Sequence, residues 1–155
     1  MTVKKYLIAM FGLLFAFSFI HSDENIESQQ IFPPHAILNA SYRGDEQMVR
    51  EIIATGVNKD VRDSLGATAL HVSLFQQNLI VVKILLDNGF DPNARATKTG
   101  NTPLHYAVSI NNVDAARMLI QYGAISTIKN NEGRTALDQA KAEGKNAMVQ
   151  IFSRF

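Results

Sequence analysis

The stretch "NTPLHYAV" (Asn101–Val108) sets a histidine among a threonine, a proline and a tyrosine. That grouping reads either as a reactive cluster or as a piece of architecture. Its neighbours decide between the two. "GATALHVS" (Gly66–Ser73) precedes it and "GRTALDQA" (Gly133–Ala140) follows, with Thr68, Thr102 and Thr135 spaced by 34 and 33 residues. Gly56, Gly89 and Gly123 keep the same spacing, and an apolar pair precedes each: Ile52-Ile53, Leu85-Leu86 and Leu119-Ile120. Two landmarks sharing one period define a repeat array, in which each unit buries its apolar face only against its neighbours.

Within a unit the pattern predicts helix, turn, helix and a hairpin-like loop. Thr102 suits an N-cap, and Pro103 at the first helical position loses nothing by lacking an N–H. Leu104, Ala107 and Val108 fall on one face at spacings of three and four. Residues 110–112 turn the chain. Ala115, Met118 and Leu119 then form a second stripe with Ile120 beside it. Gly123 ends that helix in the left-handed backbone that glycine adopts without a steric penalty.

These residues resemble the ankyrin-repeat family. "TPLHYA" (Thr102–Ala107) matches its T-P-L-H-x-A signature, "TALHVS" and "TALDQA" match it partly, and "LLDNGFDPNAR" (Leu85–Arg95) resembles its L-L-x-x-G-A-D-x-N-A stretch. The resemblance implies an all-α repeat solenoid of about four stacked helix–turn–helix repeats, near residues 33–62, 63–96, 97–129 and 130–155, joined by short β-hairpin-like fingers. The first unit is degenerate, with "HAILNASYRGD" (His35–Asp45) lacking the Thr-Pro, and the last is polar, as suits terminal units with one neighbour each. The span from Gly89 to Gly100 is 11 residues where the other two fingers take 10, so one finger carries an extra residue, either to reach a partner or simply to bulge.

The amino-terminal segment differs from the rest. Lys4 and Lys5 precede "YLIAMFGLLFAFSFI" (Tyr6–Ile20), 15 residues without charge or proline, and a polar flank follows. That is the layout of a signal peptide over residues 1–22, cut after Ser22 or Ser18, with residues 23–32 as a polar linker. The run is short for a spanning helix, and an uncleaved anchor is the alternative. The expectation is therefore an exported protein, periplasmic or secreted, of bacterial type. Without residues 1–22 the chain keeps 13 basic against 14 acidic residues, so neither nucleic acid nor, after cleavage, a membrane is an expected partner.

Chemistry is not nominated. There are no cysteines, which removes disulfides and thiolate sites. Of the four histidines, His21 ends the apolar run, His35 starts the first unit, and His71 and His105 hold one position in successive repeats. Helices stacked about 8–10 Å apart set two such rings too far apart to share a zinc ion. The resemblance implies instead that this histidine bonds the threonine of its own motif and the neighbouring loop. His105 and Ser109 stand four apart on one helix, but no acid is spaced to orient them. No phosphate-binding glycine motif is present. No cofactor or metal is expected.

What remains is a surface. The resemblance places binding on a concave side made of finger tips and first helices. Carried over, those positions are Tyr42 and Arg43; Arg62, Ser64, Leu65, Ala67, Phe75 and Gln76; Arg95, Lys98, Thr99, Asn101, Ser109 and Ile110; and Glu132 and Arg134. Aromatic and aliphatic side chains among arginines are typical of interface hot spots, although Phe75 and Ile110 equally suit packing between repeats. The expected function is a monomeric, non-catalytic module binding another exported or envelope protein. An effector or inhibitor that blocks a partner enzyme or toxin is the alternative, and a hydrolase using His105 or His71 is a third.

Overall fold

The structure, a computed structural model, describes residues 32–76 and 79–153. The signal segment 1–22, His21 and linker residues 23–31 lie outside the described residues. Eight helices are described: α1 (Ala36–Arg43), α2 (Glu46–Ala54), α3 (Ala69–Ser73), α4 (Leu79–Asp87), α5 (Pro103–Ser109), α6 (Val113–Gln121), α7 (Ala136–Ala142) and α8 (Asn146–Phe152). They form four antiparallel pairs. The odd-numbered helices stack on one another in chain order and the even-numbered helices do the same. The result is the all-α repeat solenoid expected from the period.

Local chemistry sets the boundaries. Thr68, Thr102 and Thr135 are the N-caps of α3, α5 and α7, and each forms a capping box with the residue three positions on. Asp45 and Asn112 cap α2 and α6 by accepting from Met48 N and Ala115 N. Asn111 takes the turn between α5 and α6 at φ 57°, a conformation that asparagine tolerates better than most residues. The core runs the length of the array through Ile37, Ile52, Leu70, Leu74, Leu85, Leu104, Leu119 and Met148. A repeat without neighbours would expose half of this stripe, so stacking stabilises each pair.

One core position is chemically out of place. Ser41 sits where Leu74 and Val108 sit in the next two repeats, fully buried, and its Oγ has no hydrogen-bond partner among the described residues. Burying an unpaired hydroxyl costs about 1–3 kcal/mol. Ser41→Ala is therefore expected to raise the unfolding free energy by about 1 kcal/mol, since it deletes the orphan and leaves little void. A urea titration showing a lower midpoint would contradict this.

The fingers are built from turns rather than strands. Two antiparallel bridges, Arg62 with Thr68 and Lys129 with Thr135, close the first and third. In each a four-residue turn is held by an Asx side chain: Asp63 Oδ1 accepts from Leu65 N and Ala67 N, and Asn130 Oδ1 accepts from Glu132 N and Arg134 N. The middle finger carries Ala96 at that place, which has no such acceptor. Its turn is one residue wider, closed by Gly100 N to Ala96 O at 2.7 Å and Ala96 N to Asn101 O at 2.8 Å. The extra residue is thus absorbed in the turn, and the finger stacks between its neighbours.

Candidate functional site

His71 and His105 fasten fingers to helices. Thr68 N–H and Thr68 Oγ1 meet His71 Nδ1 at 3.1 and 2.9 Å, and His71 Nε2 meets the Asn101 carbonyl of the next finger at 3.1 Å. Because a backbone N–H donates to Nδ1, that nitrogen carries the lone pair and Nε2 carries the proton. His105 repeats the arrangement, with Nδ1 accepting from Thr102 N–H at 3.2 Å and Nε2 donating to Arg134 O at 3.0 Å. Burial lowers the pKa of His71 to about 4, with the Asn101 hydrogen bond opposing the shift, and burial lowers His105 as well. Both rings are neutral near pH 7. In the fourth repeat Asp138 takes the same place and accepts from Thr135 N and Oγ1.

This geometry leaves no acid–base pair at the histidines. Ser109 Oγ donates to the main-chain oxygen of His105, not to its ring, and accepts from Gln139 Nε2. Both ring nitrogens of His105 are already engaged. A hydrolase built on His105 and Ser109 lacks its first proton transfer. Among the described residues, no group of three or more metal-ligating side chains is close enough to hold an ion, and no helix is long and apolar enough to cross a membrane.

Several residues expected on the surface serve the scaffold. Ala67 is buried. Arg62 is half-buried and acts as a strut: Nη1 donates to Gly66 O and, across to the next finger, to Arg95 O at 2.7 Å, while Nη2 pairs with Asp60. Asn101 is half-buried, with its carbonyl taken by His71 and its Oδ1 by Asn130 Nδ2. Gln76 Nε2 donates to Tyr42 O at the end of α1. In the middle finger the carbonyls of Lys98 and Thr99 accept from Asn131 Nδ2 and N, while both side chains remain exposed. Arg134 pairs with Glu132, and Ser64 is exposed at the tip of the first finger.

The structure brings three rings into one row on the inner helices. Tyr42 and Phe75 meet edge to face at 6.3 Å between centroids, and Phe75 meets Tyr106 at 5.9 Å. Tyr106 stands in turn against the His71 ring at 4.9 Å. Tyr42 is 56% exposed and Phe75 51%, although both are large aromatic rings. Leu65 on the first finger is 52% exposed and Ile110 at the end of α5 is 37% exposed. Ile110 borders an open cleft of about 430 Å³ lined by Leu74, Phe75 and residues 110–114.

Tyr106 was missed by the sequence reading. It occupies the variable position of the motif, where Val72 and Gln139 stand in the flanking repeats. Ser109, on the same helix, holds the position that Phe75 and Tyr42 hold one and two repeats earlier. The small serine breaks the column, and Tyr106, one turn back, supplies the third ring. Exposed Ile80, Tyr122 and Ile125 were also missed; the Tyr122 hydroxyl donates to Asp87, which also pairs with Lys83.

Truncating the row tests its role directly. Tyr42→Ala and Phe75→Ala are each expected to change stability by less than about 1 kcal/mol, because half-exposed rings bury little area in the free protein. Thermal melts falling by more than a few degrees would show that the rings are packing residues.

Stacked helix pairs with fingers tied to the next repeat define a helical-repeat scaffold, a class whose extended surface binds other macromolecules. Comparison with known proteins identifies the kind. A family model described as ankyrin repeats (3 copies) matches residues 6–96, and one described as ankyrin repeats (many copies) matches residues 76–120. The chain belongs to the ankyrin-repeat family. It is 38% identical over 111 residues to protein phosphatase 1 regulatory subunit 27 of Mus musculus, covering 71% of each chain. It is 28% identical over 123 residues to cyclin-dependent kinase inhibitor 2A of Monodelphis domestica, covering 79% of this chain and 71% of that one. An ankyrin repeat protein of Acanthamoeba polyphaga mimivirus is 33% identical over 103 residues, 66% of this chain but only 14% of the viral protein. Ankyrin repeats are protein–protein interaction modules, and relatives of this chain are regulators and inhibitors by name.

Proposed function

We propose that this protein is an exported, non-catalytic interaction module that binds one partner protein through the concave face formed by its fingers and odd-numbered helices. The observation that carries this reading is the row Tyr42–Phe75–Tyr106, in which Tyr42 and Phe75 are exposed and Tyr106 is half-buried, together with exposed Leu65, Arg95 and Lys98 on the fingers. Three aromatic rings aligned across three repeats are more than the solenoid needs for stacking, and aromatic area together with arginine is what protein interfaces use. Four repeats offer a short groove, so an interface of standard size or smaller is expected. Export follows from the charged and apolar leader, and the partner is accordingly an exported or envelope protein.

Capture from the envelope fraction tests the reading, with the native protein and the Tyr42→Ala/Phe75→Ala variant as parallel baits. A partner retained by the first and lost by the second supports it, and equal recovery on both sinks it. Mass spectrometry of the purified protein tests export: a start near Asp23 or Phe19 supports a cleaved leader, whereas Met1 points to an anchor.

A second reading has its own support. The two relatives of similar length are named as a kinase inhibitor and a phosphatase regulatory subunit. On this reading the module blocks or regulates an enzyme or toxin. The captured partner would then lose activity as the module is titrated in, whereas a passive scaffold leaves it unchanged.

A further inference from the structure

The last carbonyl groups of a helix have no partner within it, and each junction between repeats treats those of the inner helix differently. Between the first two repeats, Gln76 Nε2 donates to Tyr42 O at the end of α1. Between the last two, Lys145 Nζ donates to Val108 O and Ser109 O at the end of α5, at 2.6 and 2.7 Å, and pairs with Glu143. The corresponding carbonyls of the middle junction are those of Leu74 and Phe75, at the end of α3. By the period of the array, Ile110 stands where Gln76 and Glu143 stand, and Asn112 stands where Lys145 stands. Ile110 has no side-chain donor. The oxygen of the Asn112 side chain turns to its own helix and caps α6 by accepting from Ala115 N. Among the described residues, nothing donates to Leu74 O or Phe75 O.

The middle junction keeps a space instead. The open cleft of about 430 Å³ is lined by Leu74, Phe75 and residues 110–114. Their counterparts one repeat later are Val108, Ser109 and residues 143–147, the segment that contains Lys145. The cleft is thus the place that the chain's own lysine fills at the last junction. Its chemistry suits a second ammonium. Asp114 is the one charged residue of the lining and stands in for Glu143. It lies in the first turn of α6, so it also offsets the positive end of that helix. The exposed ring of Phe75 offers a face to a cation and its methylene stem.

We infer that this cleft takes a lysine side chain of the partner protein, its ammonium donating to the carbonyls of Leu74 and Phe75 near Asp114 and its stem lying against Phe75 and Ile110. The inference rests on the concave-face reading for its occupant, because Phe75 belongs to both the aromatic row and the cleft, and adds the side chain that the partner must present. An arginine suits the place less: a compact ammonium meets both carbonyls at the last junction, whereas a planar fork spreads its donors. A carboxylate would face Asp114 and two carbonyl oxygens and is rejected.

The test is an amide NMR titration of the isotope-labelled protein with Nα-acetyl-lysine methylamide. The norleucine analogue, which keeps the stem and lacks the ammonium, is the control. Saturating shifts at residues 74–75 and 110–114 are expected from the lysine compound alone. Its affinity should fall at least tenfold on Ile110→Gln, which sets the amide of Gln76 at this junction, and on Asp114→Lys, and should fall as salt is raised. The same spectra establish that both variants are folded. Equal shifts from the norleucine compound, shifts confined to other residues, no saturation, or an affinity unchanged in either variant overturn the inference. Tyr42 does not line the cleft, so capture from the envelope fraction on Tyr42→Ala and Ile110→Gln baits separates the two readings. A partner lost on both supports both. Retention on Ile110→Gln overturns the inference, and the concave-face reading then stands if the partner is lost on Tyr42→Ala and falls if it is retained there too.

Discussion

Gly66→Ala is expected to destabilise the protein by roughly 2–5 kcal/mol. Gly66 has φ +77°, and a Cβ there would lie 1.5 Å from Thr97 Oγ1 and 2.4 Å from Thr97 N. The left-handed backbone costs a non-glycine residue about 1–2 kcal/mol, and overpacking adds about 1–3 kcal/mol. Part of the clash is with backbone, so a rotamer change cannot relieve it. The middle finger must move away, and with it go the bonds from Thr97 N to Gly66 O, Lys98 N to Leu65 O and Arg62 Nη1 to Arg95 O. Gly133 is the internal control. It has φ +76° in the corresponding turn of the last finger, but a Cβ there meets nothing within 4 Å. Gly133→Ala should therefore show the conformational cost alone, about 1–2 kcal/mol. Denaturant midpoints separate the two contributions, and equal losses in the two variants would mean that the fingers are not in register as described. The middle finger also carries Lys98, so Gly66→Ala should weaken partner binding as well.

The contrast between these glycines marks how far the sequence could be read. Both occupy the same place in the period, and nothing in the letters separates them, because the difference lies in what the next finger places alongside. The helices, the threonine cap and the fastening histidine were legible because they depend on residues within one repeat, as Thr102 does with His105. The struts were not. Arg62 reaches the carbonyl of Arg95, and Arg95 reaches Asn131, across 33 and 36 residues. Those contacts exist only once stacking fixes the distance between repeats, so both arginines read as free surface charge in the sequence. Lys145 is a further case. It looked like polar cover on the last unit, yet its Nζ donates to the carbonyls of Val108 and Ser109, closing the end of α5 where a cation suits the helix dipole. For the candidate site, Tyr42 and Phe75 were visible as apolar residues at positions a solenoid leaves open. Tyr106 was hidden by its shift of one helical turn, which only the side-chain packing exposes.

Acidification from pH 6.5 to 4 is expected to remove about 3 kcal/mol of stability through His71 alone. In the folded chain the ring is buried, with Nδ1 accepting from a backbone N–H, and its pKa stands at about 4 against an ordinary 6.5. Adding a proton at Nδ1 would set two N–H groups against each other and place a charge in the core beside Arg62. Above pH 6.5 both the folded and unfolded chains hold the ring neutral, and stability is on its plateau. Between 6.5 and 4 the unfolded chain takes up a proton that the folded chain refuses, so stability falls as pH falls. Below 4 both are protonated and this contribution stops changing. His105 is shifted in the same direction and adds to the slope. Asp87, Asp138 and Glu143, held low chiefly by hydrogen bonds from Lys83, Thr135 and Lys145, extend the loss toward lower pH. Urea titrations at pH 7, 5.5 and 4.5, repeated on His71→Asn, isolate the ring. The variant should be less stable than the native protein at pH 7 and should show a shallower decline to pH 4.5. If both decline in parallel, His71 is not the titrating group and the assigned tautomer is wrong. Because the added proton falls on Nδ1, the Nε2–H bond to the Asn101 carbonyl survives, and the first loosening is expected at Thr68 and the start of α3.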